Sequence, residues 1–493
     1  MKKFLWIVCV SLLVLMLFSL IACNKKKEEG GHYSYTNGEY TNQLDLHNGE
    51  FELTNTHQNG YQKEVVVSRG TYTYYNNIYA LTRETETVSE YYFDFNTPIN
   101  TYENDVSYLD RVYVQEIGDN ILIVDGTYAV SKNGEASSNL SPLALYSKNK
   151  TYTSQDAIVA KGASNETLAK TLKLGIVYQD LFCQDAILTA SNITSFDSLK
   201  EGIVTATVSY KGLTYNATVK VVEEGLEKTL DASELTSIVR RGYSLSEYIS
   251  YNVSNNKSLK YDGNNITLTA SMVTGWETGN EDIISITITY NNVETKKTIK
   301  VYNPDNTNSY QRIYSVKLKD TNSIFFPKAT TAKNLSNYID SFVLLKADGT
   351  LVEQSYSSTL VNWTVTGLND TTAGANYLNI TFTKDGIEYK YTQPLFFYSN
   401  GEIYYDAVVT YLGDNACAYV KNNALELTSG TEKITYTILR IGKTTSATKL
   451  KLEDINHFDV DRVSSEETDF IIPVETYEYG GYTFYIHFKV KKA

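Results

Sequence analysis

Residues 203–221 read IVTATVSYKGLTYNATVKV, an alternation of apolar and polar side chains on either side of Lys211 and Gly212. Val204, Ala206, Val208 and Tyr210 would share one face of a first strand, and Leu213, Tyr215, Ala217, Val219 and Val221 the same face of a second. A period of two is that of a β-strand with one buried side. A two-residue break ending in Gly is the turn of a hairpin.

The unit returns. Ile284, Ile286, Ile288 and Tyr290 precede a turn at Asn291 and Asn292, followed by Val293, Ile299 and Val301. Leu378, Ile380 and Phe382 precede Asp385 and Gly386, then Ile387, Tyr389 and Tyr391. A last copy turns at Gly480 and Gly481 and continues as Tyr482, Phe484, Ile486, Phe488 and Val490. The second turn residues fall at 212, 292, 386 and 481, so the spacings are 80, 94 and 95. Such spacings suit a two-sheet sandwich, whose immunoglobulin-type form needs about 100 residues and seven strands. A second marker keeps step: Ser244 to Ile249 (SLSEYI) matches Asn334 to Ile339 (NLSNYI), 90 positions on.

On these hairpins the chain resembles the bacterial Ig-like domains found in tandem on surface proteins, over about residues 143–493. The resemblance implies four all-β sandwiches, 143–223, 224–303, 304–399 and 400–493, acting as spacers, stalks or adhesive units and carrying no catalytic motif. Ahead of them, residues 32–135 follow another rule. Gly38, Gly49, Gly70 and Gly126 each stand two positions before an aromatic: Tyr40, Phe51, Tyr72 and Tyr128. Gly opens a strand where the backbone bends and the aromatic fills a core. This segment resembles the small antiparallel barrels or meanders, lipocalin-like in style, of bacterial lipoproteins. Ser131 to Pro142 reads as a linker. Helical signals are confined to Ser164–Leu172 and Asp231–Val239, about two turns each.

The first residues set the compartment. Lys2 and Lys3 precede an apolar run from Phe4 to Phe18, broken by Ser11, the layout of a secretory signal. Leu20, Ile21, Ala22 and Cys23 follow and look like the lipobox read by the bacterial lipoprotein signal peptidase. That resemblance implies a signal peptide at 1–22 and a diacylglyceryl group on Cys23. Two or more fatty chains anchor a protein stably where one does not. An uncleaved span is the competing reading, since Phe4 to Ala22 is barely long enough to cross a bilayer, but a span needs no Cys at that position. Residues 23–31, with three Lys and two Glu, read as a solvated tether.

Composition removes partners. The net charge is −13 over 493 residues, and losing Lys2 and Lys3 with the signal makes it −15. The 8 Arg are scattered apart from Arg240 and Arg241, so no basic stripe exists for nucleic acid. Of four Cys, Cys9 and Cys23 belong to the signal and lipobox, and Cys183 and Cys417 stand too far apart in sequence to read as a disulfide framework. They read as buried small hydrophobes. The 42 Tyr admit two readings, strand-forming core residues or exposed platforms for a ligand.

No zinc knuckle, His-Glu-x-x-His helix, Gly-x-Ser-x-Gly elbow or Rossmann fingerprint is present. Gly442, Lys443 and Thr444 imitate the end of a phosphate loop, but Thr437 stands where its first Gly belongs. The expectation is therefore a non-enzymatic protein without a cofactor. Calcium is a candidate at the joints, through Asp305 beside Asn303 and Asn306, or through Asp459 and Asp461 on one strand face. Tyr477, Tyr479, Tyr482 and Tyr485 around the last turn are the candidate contacts for a glycan or a surface protein. The expected location is the outer face of a membrane, with the lipid as the membrane partner. A spacer with no ligand and, further off, a hydrolase are the competing functions.

Overall fold

The computed structural model describes residues 30–399, apart from 94–95, 107–108, 110, 119, 149–154, 304–309, 320–323, 348 and 357–361, together with the backbone of separate strands between 404 and 492. The chain divides into two compact units. One holds the residues up to Thr56, Val65–Val88 and Glu103–Lys228; the other holds His57–Glu64, Ser89–Tyr102 and everything from Thr229 on.

The N-terminal strands are β1 (Gly31–Asn37), β2 (Tyr40–His47), β3 (Glu50–Asn59), β4 (Gln62–Tyr75), β5 (Ile78–Tyr92), β6 (Asn100–Asn104), β7 (Val112–Ile117), β8 (Ile121–Val124) and β9 (Tyr128–Lys132). They pair in the order β4-β3-β2-β1-β9-β8-β7-β5, and β4 also pairs with β5, which closes an eight-strand antiparallel barrel; β6 adds to β5. The tight turns explain the meander: Asn48 and Gly49, Asn76 and Asn77, and Asp125 and Gly126 all have positive φ. Two such residues in succession make the turn whose twist matches paired strands.

Of the two forms expected here, the closed barrel is the one present. Its inside is filled by Tyr33, Leu44, Leu46, Phe51, Leu53, Tyr72, Tyr79, Leu81, Val114, Leu122, Val124 and Val130. Eight strands enclose about enough room for side chains, so the interior is a packed core. Phe51 and Tyr72 fill the core as the Gly and aromatic spacing predicts, and Tyr128 packs against it. Tyr40 stays half-buried outside that cluster. Gly70 is needed inside β4, because a Cβ there would lie 2.0 Å from the Thr82 carbonyl oxygen of β5.

Each repeated segment builds a three-strand sheet and a four-strand sheet. In the first, β10 (Pro142–Ser147), β12 (Leu174–Tyr178) and β13 (Cys183–Asp185) form one, while β11 (Ala157–Ala160), β16 (Leu213–Val222), β15 (Gly202–Tyr210) and β14 (Ile193–Ser195) form the other. Both sheets feed one core, with Leu145, Leu174, Ile176 and Tyr178 against Val204, Ala206, Val208, Ala217, Val219 and Val221. Burying each large apolar side chain contributes roughly 1.5–3 kcal/mol. Within the same unit, Ile123 and Ala129 of the barrel pack on Tyr146, Val177 and Leu181.

The same three-plus-four pattern recurs over residues 230–302, 310–398 and 404–492, the last described by its backbone alone. In all four, a short strand early in the segment runs parallel to the last strand, as in Ala157 with Val219, Ile238 with Lys300, Phe325 with Phe396 and Ala418 with Val490. The hairpins have the expected register: Tyr210 opposes Leu213, Tyr290 opposes Val293 and Lys384 opposes Ile387. Both turn residues have positive φ in each of these three.

The helical expectation is half right. Asn165–Thr171 is a helix capped by Ser164. Asp231–Val239 is not helical; Leu230–Asp231 and Ile238–Arg240 are strands, and the helix is Leu245–Ser254. The decisive local chemistry is Ser244 with Glu247, a reciprocal capping box.

Candidate functional site

Most of the residues picked out from the sequence lie outside the described residues: Cys23, Asp305, Asp459, Asp461, Tyr477, Tyr479 and Tyr482. Tyr485 lies on the strand Thr483–Lys492, opposite Pro473. Cys417 is outside as well. Among the described residues no group of three or more His, Cys, Asp or Glu could hold a metal ion. No described helix is long and apolar enough to cross a membrane.

The tyrosines divide clearly where they are described. Tyr75, Tyr251 and Tyr314 are exposed. They sit on a barrel strand, a helix and a strand of the third repeat. Tyr33, Tyr61, Tyr72, Tyr79, Tyr146, Tyr178, Tyr248, Tyr310, Tyr338 and Tyr389 are buried. The other tyrosines described in residues 30–399 are partly buried, so most of these rings are at least half covered rather than open platforms.

The densest cluster of unexpected chemistry lies on the third repeat, whose strands are β24 (Tyr310–Leu318), β25 (Phe325–Pro327), β26 (Ile339–Lys346), β27 (Leu351–Ser355), β28 (Trp363–Thr366), β29 (Gly374–Lys384) and β30 (Ile387–Tyr398). Strand alternation sends Leu395 and Phe397 inward to the repeat's own core. Phe396 and Tyr398 then point the other way, and with Ile324 and Phe325 they meet Tyr61, Tyr92 and Phe93. Tyr61 stacks on Phe93 at 5.5 Å and stands edge-on to Phe325 at 5.0 Å; Phe93 lies 5.2 Å from Phe396. Aromatic pairs in such geometries gain about 0.5–1.5 kcal/mol beyond the area they bury.

Beside the rings, the Asn100 amide makes the contacts a neighbouring strand would make. Its Nδ2 donates to the Thr392 carbonyl at 2.9 Å and its Oδ1 accepts from the Thr392 amide at 2.7 Å. The same Nδ2 donates to Glu90 at 2.9 Å. Arg312 completes the surface, with its guanidinium 3.5 Å from the centre of the Tyr102 ring and 5.1 Å from that of Tyr314. Its Nε is buried without a hydrogen-bond partner among the described residues. Burial pushes the Glu90 carboxyl above its ordinary range and Glu64 adds to the rise, while Asn100 and Arg312 oppose it. With two carboxylates sharing its surroundings, Arg312 suits a cation held on aromatic faces better than a receptor for an anion.

The sequence carried a signal for this surface. Leu395 to Tyr398 and Ile324 to Phe326 are unbroken apolar runs, the mark of strands buried on both faces. The positions equivalent to Phe396 in the first two repeats, by register with the parallel strand, are Lys220 and Lys300. The third copy thus replaces a lysine by a large ring at this position.

Other reactive groups are structural. The Cys183 thiol packs beside the barrel and is pushed up to about 12 by burial, so it stays protonated. Buried Asp370 accepts from the Tyr338 hydroxyl at 2.8 Å and the Lys333 amide at 3.0 Å. Buried Asp156 accepts from Tyr215 and from the Thr218 amide. These carboxylates pin loops to sheets.

No protein-family model and no curated protein matches the chain. Among solved structures it is similar to the surface layer protein SbsC, domains 1–6, at 11% identity and a TM-score of 0.14, covering 89% of this chain and 61% of that one. The chain thus spans less than two thirds of that structure, and a likeness at this level carries no argument about fold or function.

Proposed function

We propose that this chain is an exported bacterial lipoprotein, held at the outer face of a membrane through Cys23, with a non-enzymatic body of tandem Ig-like sandwiches. The observation that carries the reading is Leu20-Ile21-Ala22-Cys23 directly behind an apolar run that follows two lysines. Seven strands in two sheets around one core, recurring at the hairpin spacing, support the sandwich part. In this reading the repeats display a binding or adhesive surface, and residues 400–493 carry it, with Tyr477, Tyr479, Tyr482 and Tyr485 as contacts for a glycan or surface protein. Calcium at Asp305 or at Asp459 and Asp461 would stiffen joints.

The second reading is a spacer without a specific ligand. The outward faces of the hairpins favour it for the first two repeats, being polar at Thr205, Thr207, Ser209, Asn216 and Thr218, then at Ser285, Thr287, Thr289, Lys296 and Thr298, with exposed Ile203 and Ile283 at the far ends. Labelled palmitate tests the anchor. The wild type should incorporate it and lose residues 1–22, whereas Cys23→Ala should remain an unlabelled precursor; a labelled variant or an unlabelled wild type overturns the proposal. Binding of the full mature chain to a glycan array, against Tyr479→Ala and Tyr485→Ala, separates display from spacing. Loss of binding in both variants supports display, and no binding by the wild type leaves the spacer.

A further inference from the structure

The contacts on the third repeat join residues far apart in sequence: Asn100 and Thr392 are 292 positions apart and hold each other by two hydrogen bonds. The segments that make these contacts, 57–64, 89–93 and 96–102, are the continuations of β3, β4 and β5, so they connect through unbroken strands to the N-terminal end of the chain. Tension applied between the two ends of the chain therefore has two routes to the third repeat. One follows the covalent chain through residues 103–309. The other passes through the Tyr61, Phe93, Asn100 and Tyr102 contacts with Phe325, Phe396, Thr392 and Arg312 and skips those residues.

We propose that residues 57–64, 89–93 and 96–102 form a clasp on the third repeat, which carries tension directly and keeps residues 103–309 unloaded until it opens. The proposal rests on the reading of Cys23 as an anchor, because only a tethered chain is pulled from its N-terminal end. Three features fit a clasp better than a permanent core. The surface is assembled from separate small contacts: a few rings, one amide and one cation stacked on Tyr102. The Arg312 guanidinium makes no ion pair among the described residues, so separation breaks none. At the outward position of Phe396, whose ring packs against Phe93, the two preceding repeats have Lys220 and Lys300.

The test is single-molecule pulling on residues 24–493 with handles at both ends. Opening the clasp frees two folded sandwiches, each roughly 33 Å long for strands of about ten residues, so an early step on the order of 65 Å is expected. Unfolding one repeat of about 80 residues would instead release roughly 270 Å. A chain carrying Phe93→Ala and Arg312→Ala should show the early step at about half the force or less. In a Tyr61→Cys, Phe325→Cys chain, a short bis-maleimide linker should abolish the step, and the same chain left unlinked should retain it. Cys183 and Cys417 are replaced by serine in every chain, so the introduced pair carries the only thiols. Steps of unfolding length alone, or an early step that survives linking, would overturn the clasp. Palmitate labelling fails or succeeds independently of this result, so loss of the anchor and loss of the clasp are distinguishable.

Discussion

Asp370 is one residue on which a whole loop depends. It is buried and accepts hydrogen bonds from the Tyr338 hydroxyl at 2.8 Å and the Lys333 amide at 3.0 Å. Burial first, then Asp370 itself, pushes the Tyr338 phenol up, so it remains a donor throughout the physiological range. Tyr338→Phe removes that donor and leaves a buried carboxylate under-satisfied, which costs about 1–3 kcal/mol. Denaturant unfolding should register the loss; an unchanged midpoint would mean that Asp370 takes a replacement donor. Glu90 gives a pH signature of opposite sign to most carboxylates. Its folded value is raised, chiefly by burial. Such a group contributes stability that is full below its unfolded value, about 4.3, and is lost as pH rises through the folded one. Stability should therefore fall across that window, and Glu90→Gln should flatten the fall while keeping an acceptor for Asn100. A slope that is the same in both chains would contradict this assignment.

At the scale of elements, close approach and turn chemistry decide what the sequence can specify. Gly70→Ala would drive a methyl group to 2.0 Å from a backbone oxygen that belongs to a paired strand. We expect a loss of about 1–3 kcal/mol, the range for overpacking, read as a lowered melting temperature with the far-ultraviolet spectrum still β. A neutral Gly70→Ala would mean that β4 and β5 separate more easily than their pairing implies. The hairpins were legible from alternation because Lys211 and Gly212, Asn291 and Asn292, and Asp385 and Gly386 leave little choice of turn. The helix Leu245–Ser254 is hard to read from periodicity because its buried residues are only Tyr248 and Asn252, and the Ser244 and Glu247 capping box is its clearest local signal. Tyr248 is the functional reason for that helix in the fold: it is fully buried and donates to the Thr236 carbonyl at 2.9 Å. The third hairpin is legible from alternation only as far as Tyr391, and the apolar run Leu395–Tyr398 lies beyond it. Alternation describes one buried face, and only the unbroken run announces a second.

For the whole molecule, spacing in the sequence revealed repetition but not contact. The order of the repeats along the chain suggests a line leading away from the N-terminus, with each segment meeting only its neighbours. Residues 57–64, 89–93 and 96–102 break that rule by packing on the third repeat, a pairing that no local pattern encodes because its partners lie hundreds of positions apart. Of the two tyrosine readings, residues 30–399 supply ten buried rings and three exposed ones, with the remainder partly buried. The account's central claim is a lipid-tethered body outside the membrane, and protease treatment of intact cells tests it most directly. Cells that stay unbroken should lose the full-length chain and keep a short N-terminal fragment in the membrane fraction, and Cys23→Ala should abolish that fragment. A chain untouched until the cells are broken, or recovered in the soluble interior, would contradict it.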